Sequence, residues 1–222
     1  MQALLTGFEP YGGRDINPAN EVIQALDGGS AGSVTMIGRR LPVSYEHLRK
    51  RIPELLEELR PDIAIGLGLW PGEAIIRLER MGANLADFEI PDNDGALLDD
   101  VAISDMPTAA LRTTLPIRCI EKELLAKGIP ARLSSTAGTF LCNATLFTLL
   151  AVGQSQSPEM LCGFIHLPYL PCQVARLLID TRREHRFELH QRADLASMDL
   201  ATMTEAVRTA VEVAGAYLAQ RK

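Results

Sequence analysis

The sequence contains no hydrophobic run long enough to cross a membrane and no excess of basic residues. None of its stretches approaches the roughly 18 consecutive apolar residues that a membrane span requires. Acidic residues outnumber basic ones, 28 to 22, and the net charge of −6 argues against nucleic acid or an anionic membrane as partner. The first residues also lack the basic region and apolar core of a secretion signal. We therefore expect a cytoplasmic protein that binds neither nucleic acid nor membranes.

Cysteine is scarce, and its spacing excludes the common metal-binding motifs. The chain has four cysteines, with no CxxC pair and no Cys/His spacing typical of a zinc site. In a cytosolic protein such cysteines are free thiols by default. We therefore expect no metal site, and the question becomes which thiol is reactive among Cys119, Cys142, Cys162 and Cys172.

Short apolar runs alternate with segments of helical periodicity along the whole chain. The predicted strands cover residues 2–6, 34–41, 62–67, 75–85, 131–135 and 160–167. The predicted helices cover residues 18–26, 44–59, 117–127, 139–152 and 198–218. This repetition predicts one α/β domain over residues 1–222, a three-layer α/β/α sandwich with a largely parallel or mixed central sheet.

Several local signals refine this prediction. Asn17 before Pro18, and Ser44 before the second helix, are capping residues. Pro53 lies inside the second helix and predicts a kink or a late start there. Residues 90–107 are predicted to form a long ordered loop. The strongly charged residues 182–192 are predicted to form a solvent-facing excursion or a disordered loop.

Cys142 occupies the position expected of a nucleophile. A predicted strand ends near Ser135, Gly138 permits a tight turn, and the helix that follows places Cys142 in or near its first turn. Free N–H groups and the helix dipole there favour a thiolate and can also stabilise an oxyanion. The alternative is a buried cysteine that packs as a small hydrophobic residue. Cys119 and Cys162 look structural, and Cys172 is predicted to lie in a loop after a proline.

His166 is the histidine best placed to act as a base. It ends an apolar strand, and the carboxyl ends of strands in such sheets face the binding crevice, as do the helices that follow strands. Cys142 and His166 are therefore predicted to meet, although His166 alone could equally be a core histidine. His47 on a surface helix, and His185 and His190 in the charged stretch, are expected to be solvated.

Glu79 is the candidate for the third member of a catalytic triad. It lies in an apolar strand, where an unpaired carboxylate is costly, and a carboxylate can fix the tautomer of a catalytic imidazole. The alternative is an ion pair with Arg77 or Arg80, which periodicity does not exclude.

Four motifs, in order and in register, resemble the pyroglutamyl peptidase type I family, also called pyrrolidone carboxyl peptidase. They cover residues 6–13 (TGFEPYGG) with 16–18 (INP), residues 90–93 (IPDN), residues 135–143 (STAGTFLCN) and residues 163–171 (GFIHLPYLP). The likeness extends from Leu4 to the final helix, essentially the whole chain. One glycine-rich fragment would be weak evidence, but four long motifs in register are strong.

The resemblance implies a cysteine peptidase that hydrolyses N-terminal pyroglutamate from peptides through a thioester. It implies a triad of Cys142, His166 and Glu79, an α/β/α sandwich, no metal, no organic cofactor and a homotetramer. Family members hold the pyroglutamyl ring in an apolar pocket, and a neutral lactam suits such a pocket. The matching pocket positions are Phe8, Tyr11, Ile90, Phe140 and Leu141.

Two departures from the family pattern leave alternatives open. Glu89 stands where the family commonly has arginine, and residues 68–73 (GLWPGE) replace the usual Gly-Gln-Ala-Gly-Gly-Arg. A glutamate that pointed into the site would oppose a thiolate and an oxyanion. One alternative is a divergent cysteine hydrolase with a different amide or lactam substrate. Another is a binder of blocked peptides that has lost turnover.

Overall fold

The computed structural model describes residues 1–156, 160–184 and 195–221. Its strands are β1 (Gln2–Phe8), β2 (Ser30–Ala31), β3 (Val34–Leu41), β4 (Ile63–Leu69), β5 (Ile76–Glu79), β6 (Met81–Ala83), β7 (Ala110–Arg112), β8 (Ala131–Ser134) and β9 (Leu161–Leu167). Its helices are α1 (Pro18–Leu26), α2 (Tyr45–Leu59), α3 (Ile117–Ala126), α4 (Leu141–Gln156), α5 (Pro171–Glu184) and α6 (Leu200–Ala219). Among these described residues, no helix has both the length and the apolar character needed to cross a membrane.

Seven strands form the central sheet in the order β2-β3-β1-β4-β9-β5-β8. The pairs β3-β1, β1-β4, β4-β9 and β5-β8 are parallel, whereas β2-β3 and β9-β5 are antiparallel. The predicted mixed sheet is therefore confirmed. Because β1, β4 and β9 are parallel neighbours, their carboxyl ends meet at one edge of the sheet.

Helices cover both faces of the sheet, as the sequence predicted. One apolar core packs α1, α3 and α6 against one face, and a second core packs α2 and α4 against the other. The strand residues alternate between the two cores, so residues 161, 165 and 167 of β9 join the first core, and residues 162 and 164 join the second. A small third cluster joins α5 to Leu69 and Tyr169 at the end of the sheet.

The predicted caps are confirmed. Asn17 accepts a hydrogen bond from the Ala19 N–H at 3.1 Å, and Pro18 is the first residue of α1. Ser44 accepts from the His47 N–H at the start of α2. The expected late start of α2 at Pro53 is wrong, because the helix is continuous from Tyr45 to Leu59. Packing of its apolar face against α4 compensates for the hydrogen bond that the proline removes.

The structure also corrects several predicted boundaries. The strand predicted over residues 75–85 is two strands, since β5 lies in the central sheet and β6 pairs with β7 outside it. Gly82 brings β6 so close to α4 that a Cβ there would lie 2.8 Å from the Phe147 nitrogen, which takes the chain off the sheet. Helix α5 and strands β2 and β7 were not predicted. Cys172 lies in the first turn of α5, not in a loop. Of the charged stretch, residues 182–184 end α5 and residues 185–192, with His185 and His190, lie outside the described residues.

Candidate active site

The alternation of side chains along β9 places His166 on the same face of the sheet as helix α4. Cys162 and Phe164 belong to the core beneath α4, and His166 follows them at the same two-residue spacing. Helix α4 begins at Leu141, so Cys142 lies in its first turn as the sequence predicted. The thiol and the imidazole therefore approach each other from the helix and from the strand beneath it.

Gly68 lies next to His166 in the sheet and close to the sulfur of Cys142. It lies directly opposite His166 in the parallel pairing of β4 with β9, so a side chain at this position would point to the same face as the imidazole. A Cβ at Gly68 would lie 2.7 Å from the Cys142 Sγ, which is closer than such atoms approach. The sulfur thus occupies the space that the missing side chain leaves, beside His166.

Glu79 is hydrogen bonded to His166 in the interior of the protein. The Oε1 of Glu79 lies 2.8 Å from Nδ1 of His166, and the two side chains are 0% and 1% exposed. Since a carboxylate only accepts hydrogen bonds, Nδ1 carries the proton and Nε2 is left free to accept another. Burial lowers the pKa of His166, and the hydrogen bond and negative charge of Glu79 oppose this shift. The base is therefore held neutral and in a fixed tautomer.

Arg77 also contributes to this site. The sequence suggested it only as an alternative ion-pair partner for Glu79. Its Nε donates to Oε1 of Glu79 at 3.2 Å, and its Nη2 donates to Ser134 Oγ at 2.7 Å and to the Thr136 carbonyl at 3.0 Å. Its guanidinium also lies over the Trp70 ring, 3.7 Å from the centroid. Glu79 thus has both the triad contact and the ion pair that the sequence had left as alternatives.

Burial disfavours ionisation of the Cys142 thiol. The residue keeps some exposed surface, but its thiol is packed among neighbours, and this burial raises its pKa to about 12, with the negative charge of Glu79 adding to the rise. The expectation of a resting thiolate at the helix tip is therefore not supported, because burial outweighs the helix N-terminus. The helix still contributes N–H groups. Its first internal hydrogen bond runs from the Ala144 N–H to the Phe140 carbonyl, so the N–H groups of residues 141–143 come before the internal hydrogen bonds of α4.

An apolar pocket adjoins the sulfur. Its lining consists of Phe8, Tyr11, Asn17, Val43, Leu69, Phe140, Leu141 and Cys142. Four of the five predicted substrate-binding residues thus line it, whereas Ile90 is 46% exposed and is not part of the lining. The pocket volume is about 20 Å³, room for about one water molecule. A lactam ring is larger than this space, so the walls of the pocket, which include Tyr11 and Phe140 with ring centroids 6.4 Å apart, must widen before the ring can enter.

The two departures from the family pattern have different consequences. Glu89 is exposed, so solvent screens its charge. Trp70, in the altered segment, packs against His166 with 4.9 Å between ring centroids. Leu69 lines the pocket. The altered segment therefore touches the site, and Glu89 does not crowd it.

The remaining candidate residues lie elsewhere. Cys162 is buried in β9, while Cys119 and Cys172 are exposed. His47 is exposed and is hydrogen bonded to Ser44 and to Asp94. Neither this histidine nor these cysteines lines the pocket beside Cys142.

The sequence as a whole matches one known family. A profile described as pyroglutamyl peptidase matches residues 1–217. The chain belongs to the pyroglutamyl peptidase family. Among characterised relatives, it is 38% identical over 217 residues to the pyrrolidone-carboxylate peptidase of Thermococcus litoralis, covering 98% of this chain and 94% of the relative. It is 41% identical over 174 residues to the enzyme of the same name from Pyrococcus furiosus, covering 78% and 84%.

Solved structures of this family have the same fold. The pyrrolidone carboxyl peptidase from Thermococcus litoralis superimposes with a TM-score of 0.91 at 37% identity, covering all of this chain and 96% of that one. The pyrrolidone carboxyl peptidase from Pyrococcus furiosus gives a TM-score of 0.89 at 38% identity, with coverages of 98% and 100%. The resemblance stated from the four motifs and the predicted α/β/α sandwich are both confirmed.

Three positions near Cys142 and His166 belong to segments that the sequence had singled out, but their contacts were not predicted. Gly68 and Trp70 lie in the altered segment, and their contacts with Cys142 and His166 depend on the pairing of β4 with β9. Asn143 follows Cys142 and ties the start of α4 to β6, donating to the Ala83 carbonyl at 3.0 Å and accepting from its N–H at 2.8 Å. Asn143 ends the motif of residues 135–143, but that motif does not predict its contact with β6.

Proposed function

We propose that this protein is a cysteine peptidase that removes N-terminal pyroglutamate from peptides. Cys142 is the nucleophile, His166 the general base and acid, and Glu79 the group that orients His166. The observation that carries the proposal is the continuous arrangement of the three: Glu79 bonds Nδ1 of His166 at 2.8 Å, and Cys142 Sγ fills the space at Gly68, opposite His166.

The first stage forms a thioester. Nε2 of His166 accepts the thiol proton as the Cys142 sulfur attacks the pyroglutamyl carbonyl carbon, so a neutral thiol needs no prior ionisation. The resulting oxyanion lies near the N–H groups of residues 141–143, which the start of α4 leaves without internal partners. The imidazolium then gives its proton to the departing amine, and the carbon–nitrogen bond breaks.

The second stage releases pyroglutamate. Nε2 of His166 takes a proton from water, the hydroxide oxygen attacks the thioester carbon, and the Cys142 sulfur leaves and recovers its proton. Throughout, the hydrogen bond to Glu79 keeps Nδ1 protonated and stabilises the transient imidazolium. No step requires a redox change.

Recognition follows from the chemistry of the pocket. The lactam ring carries no charge, so the aromatic and aliphatic walls formed by Phe8, Phe140 and Leu141 accept it with little desolvation cost. An ordinary N-terminal ammonium would lose its hydration in the same place. Ile90 lies outside this lining, so the contact proposed between Ile90 and the ring requires the pocket to open.

The direct test is release of a fluorescent amine from a pyroglutamyl amide. The wild-type protein should release it, and Cys142→Ala should show no turnover above background. Cys119→Ala is the matched control, because Cys119 is an exposed cysteine on α3 that the mechanism does not use. Equal activity of wild type and Cys142→Ala would refute the nucleophile. A panel with prolyl and free glutaminyl amides should show clean preference for pyroglutamate.

We also propose that the enzyme acts in the cytoplasm as a homotetramer. Four free cysteines, two of them exposed, suit a reducing compartment. The tetramer rests on the family resemblance, and exposed apolar side chains such as Leu97 and Leu125 are available for subunit contacts. Light scattering coupled to size-exclusion chromatography measures the assembly directly, and a monomeric mass would refute the tetramer.

A further inference from the structure

A second, larger groove lies beside the proposed active site. It runs between the loop after β1 and helix α5 and has a volume of about 520 Å³, within the range typical of ligand sites. Gln173 fixes its two walls together, donating from Nε2 to the Ile16 carbonyl and accepting at Oε1 from the Leu170 N–H, both at 3.0 Å. Its lining includes Gly12, Arg14, Tyr169, Gln173, Arg176 and Ile179.

Arg14 joins this groove to the pocket that holds Cys142. Its guanidinium lies over the Tyr11 ring at 5.3 Å and over the Tyr169 ring at 5.7 Å, and its Nη2 donates to the Tyr169 hydroxyl at 3.0 Å. Tyr11 lines the Cys142 pocket, whereas Tyr169 lines the groove. Arg14 thus contacts one lining residue of each of the two spaces.

The chemistry of cleavage indicates which part of the substrate would enter the groove. His166 must protonate the departing amine, so the part of the substrate that follows the scissile bond leaves on the side of His166. The chain continues from His166 through the end of β9 to Tyr169, which forms a wall of the groove. In the proposed function the pyroglutamyl ring occupies the apolar pocket that Tyr11 lines.

Of the two arginines that line the groove, Arg14 has no acidic partner in the part of the chain described. Its contacts there are the two aromatic rings and the tyrosine hydroxyl, and the neighbouring Asp15 forms no ion pair with it. Arg176, the other arginine of the groove, is paired with Asp180 at 3.4 Å. The remaining N–H donors of Arg14 are therefore available to a ligand carboxylate.

We infer that the groove binds the peptide that follows pyroglutamate and that Arg14 pairs with a carboxylate on its first residue. This inference rests on the proposed function. The favoured substrates are pyroglutamyl dipeptides, in which the free C-terminal carboxylate lies one residue beyond the scissile bond. A charge-assisted hydrogen bond of this kind corresponds to about tenfold in specificity.

The test compares pyroglutamyl-alanine with pyroglutamyl-alanine amide, two substrates that differ only in that carboxylate. The wild-type kcat/KM should be about tenfold higher for the acid. Arg14→Gln should bring the ratio of acid to amide close to one, and Arg14→Lys, which keeps the charge without the planar fork, should give an intermediate ratio. Equal kcat/KM values in the wild type, or a ratio that survives in Arg14→Gln, would overturn the inference.

Arg176→Gln is the matched control, because it removes the same charge from the same groove at a residue already paired. It should retain the wild-type ratio, and an equal loss of ratio in this variant would show that general groove charge, not Arg14, selects the acid. Failure of the wild type to cleave either substrate would instead count against the proposed function. Thermal unfolding by circular dichroism should be the same for all three variants, which separates the ratio from a folding defect.

Discussion

Arg77 and His166 share a single oxygen of Glu79. Oε1 accepts from Arg77 Nε at 3.2 Å and from His166 Nδ1 at 2.8 Å, and Glu79 is fully buried. Its other oxygen, Oε2, is buried without a hydrogen-bond partner among the described residues. The arginine supplies a positive charge beside this buried carboxylate, so the orientation of the base depends on a cation outside the triad.

Replacement of Arg77 should change both stability and the pH dependence of catalysis. Arg77→Met leaves the Glu79 carboxylate buried without its cation, and we expect the free energy of unfolding to fall by about 3–5 kcal/mol. The positive charge of Arg77 lowers the pKa of His166, so its removal raises that pKa. His166 must be neutral to accept the thiol proton, and the acid limb of kcat/KM should therefore move to higher pH.

Arg77→Lys provides the conservative comparison, since it keeps the charge but loses the fork that reaches Ser134 and Thr136. Its acid limb should lie nearer to that of the wild type. A pH–rate profile for each variant, measured well below its melting temperature, checks this order. An unchanged acid limb in Arg77→Met would mean that the arginine does not influence the base.

Replacement of Glu79 should move the acid limb of kcat/KM to lower pH, opposite to the effect of Arg77→Met. Glu79→Gln removes the charge and the charge-assisted hydrogen bond that raise the pKa of His166, so the acid limb should move to lower pH. The amide can also donate to Nδ1 and stabilise the wrong tautomer, and we expect kcat to fall by about a thousandfold. Steady-state kinetics across pH measures both effects.

Glu73→Gln is the control for this carboxylate. Glu73 bonds Arg77 at 3.5 Å and Arg132 at 2.7 Å but does not contact His166. Its replacement should change kcat far less than Glu79→Gln and should leave the tautomer of His166 fixed. Equal losses of kcat in the two variants would show that the charge of the cluster matters and that the bond to His166 does not.

The neutral thiol predicts an unusual alkylation profile. Burial raises the pKa of Cys142 to about 12, so the rate of its reaction with iodoacetamide should climb by about tenfold per pH unit between about pH 6 and 9. Mass spectrometry of a Cys119→Ser/Cys172→Ser protein isolates this thiol from the two exposed ones. A fast rate that is independent of pH over this range would instead demonstrate a preformed thiolate–imidazolium pair.

The parts of the site that the sequence predicted follow from patterns of residues that are adjacent in the chain. The glycine turn and helix start at Cys142, and the apolar run that ends in His166, are contiguous in the chain and were read correctly. The ion pair of Arg77 with Glu79 was one of the two alternatives that the sequence offered, but the position of Arg77 opposite His166 depends on the antiparallel pairing of β5 with β9. The raised pKa of the Cys142 thiol was also not predicted, since burial is a property of the packed protein. Helix α5 escaped prediction because its apolar residues contact only a small cluster at the end of the sheet.

Gly68→Ala should separate the geometry of the site from the stability of the core. The new methyl group would lie 2.7 Å from the Cys142 Sγ, so the sulfur must move, and we expect kcat/KM to fall by at least about a hundredfold. Overpacking should also lower the free energy of unfolding by about 1–3 kcal/mol.

Gly66→Ala is the matched control, because its methyl group would lie on the same face of β4, 2.4 Å from the Phe164 ring, without touching the sulfur. Urea unfolding and kinetics of both variants should therefore give similar losses of stability but a much larger loss of activity for Gly68→Ala. If activity follows stability equally in the two, the sulfur does not occupy the space at Gly68 during catalysis.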